Sequence, residues 1–337
     1  MNKISRRKTM KTRLKFISTC VFTVIIFFNI ITIEKQEVFS QDYSILNRSF
    51  NLTGERSQKV QYFLMKTKVV SYSPDGKITG TDIYKLNLKC VPAKLAGKEG
   101  DEFTCSKFRF KLGDSKEVTV PALEGWRYIF KSLPSGIDEK GQVFGIEHSK
   151  FENLKDSNNK SIPQDKIYMI YNTFIDFHSF CNVFAERTEN GKGIQDLKKI
   201  GQKIVHTSSF SEPPLNLGSN IAEGSFFKNG KITLTFKGLS YINNKLCAIV
   251  GFDAGGSSFK MIINVSPDTR INTTGSSHYK GDIYIDIESK WVQKVVMDEF
   301  VVSEVILPFP PNKINSFVER NVVVRNVEKD EFEKYLK

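Results

Sequence analysis

From Gln164 to Asn190 the chain runs without glycine or proline. Along it Ile167, Ile170, Phe174, Phe177, Cys181 and Phe184 recur three or four residues apart. That spacing draws one apolar stripe down a helix. Both flanks of the chain instead alternate apolar and polar residues over short stretches, the period of strands that bury one face. One long helix between two β regions is therefore the arrangement that any fold has to accommodate. Ser161 with Gln164 reads as a capping box at its start, and Gly191 as its end.

Residues 58–130 alternate as strands, with "SPDGK" as a turn and "EGWRYIF" placing Trp126, Tyr128 and Phe130 on one face. After the helix the alternation returns in "FFKNGKITLTF", where Asn229–Gly230 is a hairpin signal, and continues through "FKMIINV", "DIYIDIE", "WVQKVVM" and "INSFVERNVVVRNV". "FDAGGSSF" and "SSHYKGD" read as turns between those strands. The expected class is α+β, predominantly antiparallel β. A curved sheet or two sheets, half-barrel or sandwich-like, would pack around the helix at 164–190. The expected divisions are 1–40 (export signal), 41–150 (first β region), 151–220 (connection with the helix), 221–327 (antiparallel meander) and 328–337 (tail), with 41–327 as one packed unit.

The first forty residues belong to a different physical class. Seven basic residues precede the uncharged apolar run Phe16–Ile33, and a polar stretch follows with Val38 and Ser40 at small-residue positions. This tripartite pattern is that of a signal peptide cleaved near Ser40–Gln41; an uncleaved membrane anchor over residues 16–33 is the alternative. The expected location is thus periplasmic or extracellular. Residues 1–40 also carry +6 of the chain's net +12. The remaining charge is scattered rather than gathered on one stripe, so no nucleic acid is expected as partner.

Four cysteines remain beyond the signal. An oxidising compartment permits two disulfides. Cys90 and Cys105 end one strand and begin the next. The apolar parity changes between Cys105 and Phe108, so a bulge near Ser106–Lys107 would turn Cys105 toward Cys90. Cys181 and Cys247 are the second, weaker pair of candidates.

"FIDFHSFC" sets Asp176, His178 and Cys181 within a few residues of each other. On a helix Asp176 and His178 diverge by about 200°. The trio therefore disperses, with Cys181 buried, His178 at the stripe's edge and Asp176 in solvent. His178, His206 and His278 converging on a metal would make a hydrolase or metal-dependent enzyme. No HExxH, CxxC or paired-histidine spacing supports that alternative. Neither a catalytic residue nor a metal ligand nor a cofactor is assigned.

The amphipathic rings of Trp126, Tyr128, Tyr279, Tyr284 and Trp291, with His178, are the candidates for lining an apolar ligand site. The order strands, helix, strands resembles, at the level of fold, the helix-in-half-barrel proteins that carry lipids or lipoproteins across bacterial envelopes. The resemblance implies a non-enzymatic envelope protein whose partner is an apolar molecule or a protein segment held between sheet and helix. It transfers no residue roles. An assembly protein that uses exposed strand edges is the other reading.

Overall fold

The computed structural model describes residues 47–131, 143–185, 192–212, 221–266 and 269–337. The expected export signal, the alternative anchor segment 16–33, helix positions 186–190 and the expected helix end at Gly191 lie outside the described residues. Residues 50–337 form one compact unit.

The alternating segments fold into strands β1 (Gln61–Tyr72), β2 (Ile78–Val91), β3 (Glu102–Leu112), β4 (Val118–Thr119) and β5 (Trp126–Ile129) before the helix. After it come β6 (Lys203–Val205), β7 (Phe226–Lys228), β8 (Lys231–Ile242), β9 (Lys245–Ser266), β10 (Thr269–Asp286), β11 (Val292–Ile306) and β12 (Lys313–Val327). All belong to one open sheet in the order β4-β3-β2-β1-β12-β11-β10-β9-β8-β6, with β5 on β3 and β7 on β9. Predominantly antiparallel β structure with one long helix was expected, and it is what forms. The two β regions are joined where β1 zips onto β12, from Tyr62 opposite Val327 to Tyr72 opposite Phe317.

Three turn assignments from the sequence are corrected. "FDAGGSSF" lies inside β9 and "SSHYKGD" inside β10, not between strands. Gly281 in the second stretch and Gly275 just before it are flat spots for cross-strand rings. A Cβ on Gly281 would stand 2.8 Å from the Phe252 ring, and one on Gly275 would stand 2.6 Å from the Phe259 ring. Asn229–Gly230 makes no hairpin, because β7 and β8 follow one another along β9. Gly230 sits where a Cβ would meet the Gly255 carbonyl at 2.0 Å. The hairpin from β8 to β9 turns at Asn243–Asn244, with φ of 50° and 62°, angles that Asn tolerates better than other side chains.

The helix, α1, spans Gln164–His178 and runs into a π turn at Ser179–Val183. Pro163, not Ser161, is its N-cap, and no side chain caps it. Ser161 is occupied in a bridge to Lys155. No residue from Lys166 to Ala185 is exposed. Strands from both β regions supply the contacts: Phe63 and Phe103 lie 5.0 and 5.8 Å from Phe177, Phe108 lies 5.9 Å from Phe174, and Phe252 lies 5.2 Å from Phe180. Burying each such ring contributes about 1.5–3 kcal/mol. At the C-terminus a short helix, α2 (Lys329–Lys334), tucks Phe332 against Leu64 and Val327.

The expected bulge is present: Asn87 faces Lys107 but Leu88 faces Cys105, which leaves Ser106 out of register. Both thiols become buried, yet no disulfide joins the four described cysteines. Cys90 is opposite Phe103, two positions from Cys105's partner Leu88. Diagonal neighbours on a sheet stand about 7–8 Å apart, beyond the roughly 4 Å between Cβ atoms that a bridge needs. The Cys90–Cys105 expectation is corrected on that ground.

Candidate functional site

Strand register places five inward-facing residues in one row across the sheet. Tyr279, Glu299, Arg320, Val69 and Asp82 stand opposite one another on β10, β11, β12, β1 and β2. The next inward rows toward the β8–β9 turn are apolar: Met297 faces Val322, and Val295 faces Val324. Over this apolar part lies the phenylalanine stripe of α1. The polar row is met by the helix's other flank, where Lys166 Nζ donates to Asp82 Oδ2 at 2.9 Å and Asp176 accepts from Arg320. A polar belt thus crosses the sheet beneath the helix.

At its centre is a buried ion network. The Arg320 guanidinium donates to Asp176 Oδ2 at 2.7 Å and, through Nε, to Glu299 Oε2 at 2.6 Å. Ser277 donates to the second Glu299 oxygen at 2.5 Å. The three charged side chains are only 7–12% exposed. Burial pushes the Asp176 carboxyl up to about 6, against the pull of Arg320 and with the push of Glu299. Burial opposes the charge on Arg320 too, but Asp176 and Glu299 outweigh it and hold the guanidinium above its ordinary value. Tyr168 is raised to about 12, chiefly by burial. Tyr279 closes the row by donating to Asn229 Oδ1 at 2.8 Å.

Beyond the belt, toward the β11–β12 turn, the inward face continues, and among the described residues no ring of the helix stripe is stacked against it. Val301 opposes Val318, Val305 opposes Ile314, and Ile271 opposes Ile263. All six are half-buried or exposed.

The expectation of a solvated Asp176 is overturned. It does lie off the apolar stripe, but the C-terminal strands cover that side of the helix. His178 sits deeper than the stripe's edge and is fully buried. Its Nδ1 donates to Asn182 Oδ1 at 3.1 Å, which leaves Nε2 to accept the Tyr128 hydroxyl at 2.7 Å. Phe130 stacks on the imidazole, and burial drops its pKa to about 3. Asp176 and His178 therefore reach different strands, β12 and β5. His178 is expected to show no imidazole titration between pH 5 and 8 in an NMR series. Tyr128→Phe is expected to cost about 1–3 kcal/mol in urea unfolding by orphaning Nε2; unchanged stability would count against the bond.

Of the candidate ligand residues, Trp126, Tyr128 and His178 come together around Phe174 and Phe177, with the Trp126 and Tyr128 rings stacked at 4.6 Å. Tyr279 belongs to the belt. Tyr284 stands outside both groups, its ring 5.5 Å from the Lys294 ammonium. Trp291 is a buried plug that donates its indole N–H to the Ser57 carbonyl at 2.8 Å, with the Arg56 guanidinium 4.0 Å from its ring.

The other histidines have separate surroundings. His206 is buried and accepts from the Ser208 amide, and His278 is exposed and pairs with Asp253 at 2.9 Å. Among the described residues no three His, Cys, Asp or Glu side chains are grouped to hold a metal ion. Arg320 and Glu299 were missed in the sequence, although each interrupts an inward parity: Val318, Arg320, Val322 and Met297, Glu299, Val301.

No protein-family model matches this chain, and no curated protein matches it. Among solved structures it is similar, slightly, to an outer membrane lipoprotein-sorting protein domain from Vibrio parahaemolyticus (9% identity, 84% of this chain and 92% of that one, TM-score 0.13). It is also similar to a loop-deleted OmpT, an outer membrane protein of Vibrio cholerae (10%, 79% and 99%, TM-score 0.16). A third is an outer membrane channel from Pseudomonas putida F1 (8%, 81% and 97%, TM-score 0.13). Likeness this slight carries no argument about this chain, whose function has to be reasoned from its own residues.

Proposed function

We propose that this is an exported envelope protein, not an enzyme, whose sheet curls as a half-barrel around α1 and holds an apolar ligand or an extended protein segment against its inner face. One observation carries the reading: the inward apolar surface extends past the polar belt, farther than the helix stripe covers it. A face built of Val301, Val318, Val305, Ile271 and Ile263, flanked by a buried charged row, suits a molecule with an apolar body and a polar end. The charged N-terminal leader followed by Phe16–Ile33 supports export. The aromatic group of Trp126, Tyr128 and His178 is better read as the packed support beneath the helix.

Native mass spectrometry of the gently purified full chain is expected to show a bound apolar molecule or peptide. Val301→Glu is expected to abolish that adduct while leaving the unfolding midpoint nearly unchanged, because Val301 is only half-buried. An empty protein that also fails to enhance the emission of an added apolar dye would remove the proposal.

A further inference from the structure

Large apolar side chains are unevenly distributed over the surface. Six of the twelve that are exposed among the described residues are Val265, Phe300, Val302, Ile306, Phe309 and Ile314. All six lie on the distal parts of β9, β11 and β12 or on the turn between the last two. The turns at the opposite end, Asn243–Asn244 and Ser289–Lys290, are polar.

The six do not share a face. Phe300, Val302 and Ile306 have one parity on β11. Ile314 stands opposite Val305 and so has the other parity, the one that faces inward. A docking protein covers one side of a sheet, whereas an apolar medium wets both. The turn itself is built for such a medium. Between Leu307 and Lys313 the chain reads "LPFPPNK", in which three residues are prolines and have no N–H. Of the four N–H groups that remain, three are bonded inside the turn: Leu307 to the Asn312 carbonyl at 2.8 Å, Asn312 to Phe309 at 2.9 Å and Lys313 to Pro311 at 2.7 Å. Backbone donors with no partner are what makes a loop costly to immerse in hydrocarbon, and this loop has almost none to desolvate. Phe309, 53% exposed, is at its apex. Arg270 and Lys313 flank it and can keep their charges at the headgroup level.

We infer that the β11–β12 turn, with the adjoining end of β9, dips into the surface of a lipid bilayer, with Phe309 as the inserted side chain. This contact is separate from any made by Phe16–Ile33, and it does not depend on the ligand reading above.

The test uses the full chain carrying Phe309→Trp, compared with Tyr241→Trp at the polar end. Both are mixed with vesicles of phosphatidylethanolamine and phosphatidylglycerol, with and without bromine-labelled acyl chains. The indole at position 309 is expected to shift its emission to the blue on adding vesicles and to be quenched by the bromolipids. The indole at 241 is expected to do neither, even when the N-terminal segment holds the chain on the membrane. An indole at 309 that stays unshifted and unquenched on vesicle-bound protein overturns the inference. So does a failure of the chain to bind these vesicles. A blue shift that appears without lipid and grows with protein concentration also overturns it, since the patch would then be an interface between copies of this chain.

Discussion

Arg320→Met is expected to lower the free energy of unfolding by about 3–5 kcal/mol, read from urea denaturation near neutral pH. The guanidinium is the only cation touching Asp176 and Glu299 among the described groups of this network, and all three are about nine-tenths buried. Removing it leaves two carboxylates facing each other in a low-dielectric interior. Methionine fills most of the vacated volume, so the loss reports charge rather than a cavity. Adding Asp176→Asn and Glu299→Gln to the same chain is expected to restore most of it, because a neutral network has no charge left to desolvate. A single-variant cost below about 1 kcal/mol, the value of an exposed ion pair, would show that water reaches the network. The belt would then be an outer rim and not the floor of an inner face.

The elements themselves were legible because their periods differ. Ile167 through Phe184 keep a spacing that no strand has, and Tyr84, Leu86 and Leu88 keep one that no helix has. The bulge at Ser106 was legible for the same reason, since a change of apolar parity within "FTCSKFRFKL" has few other causes. What failed was the reading of glycine and asparagine. Gly281 resembles a turn former in isolation, but its partner across the ladder is Phe252, as that of Gly275 is Phe259, and each needs room for a ring. Only the register, set by residues far away in sequence, shows that need. Asn229–Gly230 carried the hairpin signal, yet the chain turns at Asn243–Asn244 instead. The site suffered more. Asp176 does lie outside the apolar stripe, but the stripe says nothing of β10, β11 and β12 closing over the other flank. The information was in Arg320 and Glu299. A charge at an inward position between valines has to meet an opposite charge, and three such residues in one chain are a network waiting to be paired.

Asp176 makes the second large prediction, a slope in stability against pH. Its carboxyl titrates near 3.8 when unfolded and is raised to about 6 in the folded protein, with burial as the main cause. Between those values the native state holds a proton that the unfolded chain has released. The stability contributed by this proton is therefore complete below about pH 4 and is lost as pH rises through 6, a decline of about 3 kcal/mol. Carboxylates on the surface that gain partners on folding pull the other way, so the raw curve mixes both. The difference between wild type and Asp176→Asn isolates the group. The amide imitates the protonated acid and leaves Arg320 its two contacts to Glu299. The variant is expected to match wild type near pH 4, to exceed it progressively between pH 4 and 6, and to keep a constant margin above that. Arg320→Met and Asp176→Asn thus act in opposite directions at neutral pH, although they remove opposite ends of one bond. That asymmetry follows from a network with two carboxylates and one guanidinium, in which the excess charge is negative. Parallel curves would mean that Asp176 stays ionised across the range, and the attraction of Arg320, not the exclusion of water, would then govern the proton at the centre of the belt.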